Sequence, residues 1–314
     1  MHATRASSTS RRTVLRGFAA GLAGASLAPW VRSGLAADGI AVTPITDELA
    51  MLTGAGCNLL VLSTADGQVL IDSGPATVSD AVLATLDELP GDRVAALFNT
   101  HWHLDQVGSN EAVGTAGATL FAHEKTRQRL ATGYYRPDED RYVGPLSATG
   151  LPTETIYTNG SAQIGGQRID YGYLIEAHTD GDIFVAIPDL NVIAVGDVLS
   201  PDSDPVFDWF GGGWLGGRLD SIDLLLEQSD EQTRFVPSHG PIVSRADVQT
   251  ERELLLELFD LMVEHVRLGE TAKDMLDGGA LDGLNREFDD PYQLLYDLHK
   301  GFWAHHNKLM HDIV

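Results

Sequence analysis

Two imidazoles and a carboxylate fall within five residues at His101-Trp102-His103-Leu104-Asp105. Histidine nitrogen and carboxylate oxygen are the usual protein ligands of zinc and related ions. The trio follows directly on an apolar run, Val94-Ala95-Ala96-Leu97-Phe98, that reads as a buried strand. If the chain stays extended past that strand, alternate side chains project to one side, and His101, His103 and Asp105 form a three-point metal clamp. Three more metal-competent elements follow: Ala177-His178-Thr179-Asp180-Gly181-Asp182, Val195-Gly196-Asp197 and Val236-Pro237-Ser238-His239-Gly240-Pro241. A lone histidine at a strand end is more often structural than ligating. Four such elements in this order point to a metal site.

Each element sits where a strand pattern meets a loop bearing glycine or proline, the place where a rigid scaffold presents site residues. Residues 58–63 and 68–72 read as strands joined at Asp66-Gly67, a good hairpin turn. Val82, Leu83, Leu86 and Leu89 have helical spacing, and Ala118–Ala122 reads as a strand before a helix from about Glu124. Residues 133–152 lack a period and read as a long loop, with Tyr134, Tyr135 and Arg136 as one side of a substrate cleft. A second group of strands spans about 155–195, and a strand at 234–236 closes it. Between them lies a Gly/Trp-rich loop, residues 209–217, followed by a short helix near 221–226. Its Trp209, Phe210 and Trp214 read either as a lid packed on the core or as a wall over the substrate. Two helices, 246–268 and 292–309, end the chain. Cys57 is the only cysteine, so no internal disulfide forms, and its place before an apolar strand reads as a buried, inert thiol.

In this order the elements resemble the metallo-β-lactamase superfamily of hydrolases, from Leu70-Ile71-Asp72-Ser73-Gly74 to Ser238-His239-Gly240-Pro241. The resemblance implies an α+β fold, a four-layer αββα sandwich with metals at one edge between the sheets. The extra C-terminal helices resemble those of exported, uncharacterised members. It implies that His101, His103 and His178 hold one zinc ion, and that Asp105, Asp197 and His239 hold a possible second, with Asp197 bridging. Asp72 resembles an aspartate that orients ligands, although an aspartate in a turn after a strand needs no such role. Gln106 stands where most hydrolase members carry a histidine of the second site. Its neutral amide oxygen is a poorer ligand than imidazole, so Gln106 is either a weak ligand or a residue that only hydrogen-bonds nearby backbone. The implied reaction is attack by a zinc-bound hydroxide on an ester, lactone, thioester or β-lactam carbonyl, with Asp105 as the catalytic residue that orients the nucleophile and moves its proton. Iron-dependent redox chemistry on the same fold is one rival. A non-catalytic metal-binding accessory protein of the periplasm is the other.

Ser10-Arg11-Arg12-Thr13-Val14-Leu15-Arg16, the weakly apolar stretch after it and Gly34-Leu35-Ala36 resemble a twin-arginine export signal over residues 1–36. The mature hydrolase domain is then 37–314, periplasmic or secreted, with the export machinery as a transient partner. The signal carries five arginines and no acid, so its removal takes the formal charge from −24 to −29. A body that acidic repels nucleic acid and anionic membrane, and no apolar run after the signal is long enough to span one. The partner left is a small-molecule substrate.

Overall fold

A computed structural model describes residues 39–136 and 140–310. The segment expected to be an export signal lies outside them. The first sheet is built from β1 (Ala41–Pro44), β2 (Leu49–Thr53), β3 (Leu59–Thr64), β4 (Gly67–Ile71), β5 (Val94–Phe98), β6 (Thr119–His123) and, after a separate hairpin of β7 (Tyr134–Arg136) and β8 (Arg141–Val143), β9 (Glu154–Ile156). Its spatial order is β1-β2-β3-β4-β5-β6-β9. The second sheet takes β10 (Gly160–Ile164), β11 (Gln167–Tyr173), β12 (Ile183–Ile187), β13 (Val192–Gly196), β14 (Arg234–Pro237) and β15 (Val243–Ser244), in sequence order.

Alternation along the strands makes the layers. Leu60 and Leu62 of β3 pack with Ile183, Val185, Val192 and Ala194 of the second sheet, while Leu59 and Val61 pack with Val82 and Leu86 of helix α1 (Ser79–Asp87). Likewise Val192 and Ala194 of β13 face the first sheet, and Ile193 and Val195 face the C-terminal helices. A strand with apolar residues on both faces has to be covered on both faces. The result is the expected αββα sandwich. After α2 (Leu104–Val107), α3 (Asn110–Thr115) and α4 (Glu124–Thr132), the outer helical layer holds α5 (Leu215–Glu227), α6 (Arg245–Leu268), α7 (Ala272–Asp277) and α8 (Pro291–Met310). The reciprocal Ser244/Asp247 capping box starts α6, and Gly269, at φ 75°, ends it.

Three differences from the sequence reading bear on the site. Residues 133–152 are not a plain loop, because β7 and β8 pair as a hairpin within them. The helix expected near 221–226 starts earlier, at Leu215, and absorbs the end of the glycine-rich loop. Strands β1 and β2 were not anticipated: Leu, Ala and Met favour helix locally, and only pairing with β3 makes Leu49–Thr53 a strand.

His123 joins β6 to α4, and its Nδ1 accepts the Lys125 backbone N–H at 3.2 Å while its ring stacks on Tyr173. Burial, with the Lys125 ammonium nearby, pushes His123 down to about 4. The folded value lies below the unfolded one, so this stability is complete above about 6.5 and is lost as pH falls toward 4. His123→Phe is expected to keep the stack and flatten the fall in unfolding free energy between pH 6.5 and 4.5. Urea titrations of both proteins without metal check this, and parallel slopes would contradict it.

Candidate metal centre

Strands β4, β5 and β6 run parallel, as do β13 and β14, so their C-terminal ends open onto one edge of the sandwich. The loops leaving β5, β13 and β14 carry His101, Asp197 and His239. The chain does not stay extended through Asp105. After His103 it turns into α2, and Asp105 lies in the first turn of that helix. The three-point clamp is therefore split between two groups. Ligand atoms of His101, His103, His178 and Asp197 lie within 4.8 Å of one another, and so do those of Asp105, Asp197 and His239. Asp197 belongs to both. Its Oδ2 is 3.4 Å from His101 Nε2 and 3.6 Å from His178 Nε2, and its Oδ1 is 3.7 Å from His239 Nε2. Gly196, at φ 60°, lets this turn approach Thr100, where a Cβ would meet Oγ1 at 2.9 Å.

Hydrogen bonds set which nitrogen of each imidazole is free. His178 Nδ1 lies 2.9 Å from the Val206 carbonyl, which can only accept, so Nδ1 carries the proton and Nε2 the lone pair. His103 Nε2 lies 2.9 Å from Asp208 Oδ2. Burial works against an ionised Asp208, but the His103 hydrogen bond holds it down at about 2, so the carboxylate accepts and His103 Nδ1 keeps its lone pair. These two lone-pair nitrogens face each other at 3.1 Å. His101 Nε2 is buried without a hydrogen-bond partner. A cation is what reconciles such an arrangement, and the residues fit a metal ion on this ground. The electrostatics agree. Burial opposes a charged His101, yet Asp197 raises it to about 9. Burial likewise opposes ionisation of Asp197, and the nearby imidazoles of His101, His178 and His239 hold it well below the usual carboxylate range.

Asp72 is more than a turn residue. It sits at φ 58°, and its carboxylate accepts from Thr100 N at 2.8 Å and Thr100 Oγ1 at 2.7 Å. Thr100 Oγ1 is in turn 3.2 Å from His101 Nδ1, so Asp72 fixes the residue that orients His101. Burial pushes Asp72 up to about 7. Asn58 reaches across from the first sheet and donates to the Pro237 and Gly240 carbonyls at 2.9 Å each, holding the turn that presents His239. Gln106 is buried. Its amide N–H donates to Asp105 Oδ2 at 2.8 Å rather than to backbone, and its Oε1 has no hydrogen-bond partner. Cys57 is buried beside the site with Sγ donating to the Asp105 backbone carbonyl, and burial pushes its thiol up. It belongs to neither ligand group.

Trp209 and Phe210 line a cavity of about 480 Å³ that opens beside His103, with Tyr134 and Tyr135 on its wall. Trp214 does not share their place. It packs against Phe259 and Phe302 and stacks on His305 at 3.7 Å, because the early start of α5 turns it toward the C-terminal helices. Sequence reading missed Asp208 and Asp182. Asp182 accepts from the backbone of His178 and Thr179 and from Thr179 Oγ1, and the Thr179-x-x-Asp182 spacing was a visible sign of such a turn. Asp208 left no local signal. Asp208→Asn is expected to weaken metal binding by about tenfold or more, since a carboxylate behind a ligating imidazole fixes its tautomer and raises its basicity. Competition with a chromogenic chelator measures this. An unchanged affinity would mean that Asp208 does not orient His103.

Several known proteins are similar to this chain. Metallo-beta-lactamase IND-1 of Chryseobacterium indologenes is 24% identical over 199 residues, 63% of this chain and 77% of its own. Hydroxyacylglutathione hydrolase of Thermosynechococcus vestitus is 29% identical over 184 residues, 53% of this chain and 59% of its own. Among solved structures, the stereoselective inverting sec-alkylsulfatase Pisa1 from Pseudomonas sp. superposes with a TM-score of 0.62 at 15% identity, over 83% of this chain and 49% of that one. The chain thus spans about half of the alkylsulfatase, a likeness of fold alone. The family model for the metallo-beta-lactamase superfamily matches residues 52–239. That span starts in β2 and ends on His239, enclosing every candidate ligand and the strands that carry them, and on this ground the chain belongs to the metallo-beta-lactamase superfamily.

Proposed function

We propose that this protein is an exported zinc hydrolase acting on the carbonyl of a small ester, lactone, thioester or β-lactam. The observation that carries the reading is the pair of ligand groups sharing Asp197 at the edge of a substrate-sized cavity. Relatives named for β-lactam and hydroxyacylglutathione hydrolysis support the reaction class. The Arg11-Arg12 segment supports export, and among the described residues no helix is long and apolar enough to cross a membrane.

His101, His103 and His178 with Asp197 would hold the first ion, and Asp105, Asp197 and His239 a second. Bound there, the metal acidifies water and polarises a carbonyl oxygen. The side chains do the rest. Burial opposes ionisation of Asp105, but the His239 hydrogen bond and neighbouring imidazoles keep it below the ordinary carboxylate range, so it is a ready acceptor at neutral pH. Gln106 and His239 both approach its Oδ2, which leaves Oδ1 to orient the attacking water and take its proton. Trp209 and Phe210 exclude solvent on the cavity side.

The test is metal analysis of the mature protein together with a panel of chromogenic esters, lactones, thioesters and β-lactams. Zinc in the protein, turnover of a carbonyl substrate, loss of turnover on chelation and its return with zinc are expected. A coloured, iron-containing protein, or a fully metallated one without turnover across the panel, would overturn the proposal.

A further inference from the structure

The C-terminal helix supplies part of the cavity beside His103. Gln293, Tyr296 and Asp297 of α8 line it together with the loop residues Asp208, Trp209 and Phe210. The family match ends at residue 239, so this wall belongs to the chain's own extension. The lining has a definite chemistry. Tyr134, Trp209, Phe210 and Tyr296 present aromatic rings, while buried Trp102 already holds the Arg129 guanidinium over its ring, and the lining's two carboxylic acids, Asp208 and Asp297, come from the loop and from α8. Among the described residues no lysine or arginine lines the cavity. Lys300 lies over the Tyr296 ring, 5.2 Å from its centroid, without reaching the lining.

Asp208 already serves His103 and the Gly211 N–H. Among the described residues Asp297 has only neutral hydrogen-bond partners. Its Oδ1 accepts from Gln293 Nε2 at 2.9 Å, Trp209 lines the cavity beside it, and among the described residues it forms no salt bridge. A carboxylate half-sunk among aromatic rings and lacking a cation is costly unless a ligand brings the charge. Burial, with Asp208 nearby, raises it to about 6, which is what an unpaired acid does in such a place. Aromatic faces and carboxylates attract the same partner, a bulky, weakly hydrated cation. A distal carboxylate on a substrate would meet like charge here, and the acidic body adds a long-range field of the same sign.

We propose that this cavity recognises a quaternary ammonium or alkylammonium group on the substrate, held by the aromatic wall and Asp297 while the carbonyl lies at the metal centre. The proposal rests on the hydrolase reading for its placement of the carbonyl, but the cavity's preference for a cation is testable without turnover.

The experiment uses the mature, zinc-loaded protein and a matched pair of probes, choline and its neutral isostere 3,3-dimethyl-1-butanol, followed by tryptophan fluorescence and calorimetry. Choline is expected to bind about tenfold or more tightly than the isostere, with the difference falling below about threefold in Asp297→Asn and in Trp209→Leu. Equal affinities in the wild-type protein would overturn the proposal, and so would a preference that survives both substitutions. The wild-type comparison needs no variant to fold. Choline esters are then compared with 3,3-dimethylbutyl esters of the same acid, and a kcat/KM ratio of about ten or more is expected in the wild type. Choline binding without turnover of either ester or of any substrate in the ester, lactone, thioester and β-lactam panel would sink the hydrolase reading and leave the cation site standing. Equal turnover of both esters with equal probe binding would do the reverse.

Discussion

Arg218→Met is expected to lower the unfolding free energy by about 3–5 kcal/mol, the usual cost of leaving a buried charge without its partner. Arg218 is 0% exposed, on the face of α5 that meets α6. Its guanidinium donates to Glu251 Oε1 at 3.0 Å, to Ser200 Oγ at 2.8 Å and to the Val206 carbonyl at 3.1 Å, and it lies over the Phe207 ring. Glu251, on α6, also accepts the Ser200 backbone N–H with both oxygens. Methionine fills much of the volume but strands the Glu251 carboxylate. The double variant Arg218→Met/Glu251→Leu removes both charges and should recover part of the loss, because a buried ion pair repays little of its own desolvation. Urea denaturation of the metal-free proteins measures both, and a single-variant cost under about 1 kcal/mol would refute the argument. The effect should reach the metal as well. Val206 takes a bond from Arg218 on one side and from His178 Nδ1 on the other, so loosening the 200–207 segment loosens a ligand.

What the sequence discloses here depends on how local each constraint is. The sandwich was legible because its strands carry apolar residues on both faces and its helices repeat theirs at helical spacing, patterns that hold wherever the segment ends up. His101, His103, His178, Asp197 and His239 were legible because each stands at the junction of such a pattern with a loop. Asp105 was legible only through the family resemblance, which groups it with Asp197 and His239 as the structure does. Extended alternation alone puts it beside the histidines, whereas Leu104–Val107 closes one helical turn that carries it to the second group. Asp208, Arg218 and Glu251 were missed for a related reason. They act across 105, 18 and 51 residues of chain on His103, Ser200 and Ser200 respectively, and nothing in their own neighbourhoods marks them. For Trp214 the packed alternative holds and the substrate-wall one does not, because α5 starts at Leu215 rather than near 221 and turns the ring toward Phe259 and Phe302.

Asp197→Asn should have the largest effect on function, because this one carboxylate serves both ligand groups. The amide keeps the size and one weakly ligating oxygen and loses the charge that His101, His178 and His239 converge on. A drop in kcat/KM on the order of 10³ or more is expected, roughly 4 kcal/mol of lost transition-state stabilisation at about 1.4 kcal/mol per decade. Metal content should fall with it, the second ion leaving first, since without Asp197 only Asp105 and His239 remain in that group. Gln106→His is the informative companion. Gln106 is buried, already bonded to Asp105, and leaves an oxygen without a partner, so an imidazole in its place adds a strong ligand where the wild type offers an amide. Tighter binding of the second equivalent of zinc in Gln106→His, together with its loss in Asp197→Asn, would identify Gln106 as the position that limits occupancy there. Two equally tight zinc equivalents in both wild type and Gln106→His would show instead that Asp105, Asp197 and His239 suffice, and that the glutamine serves to hold Asp105 in place.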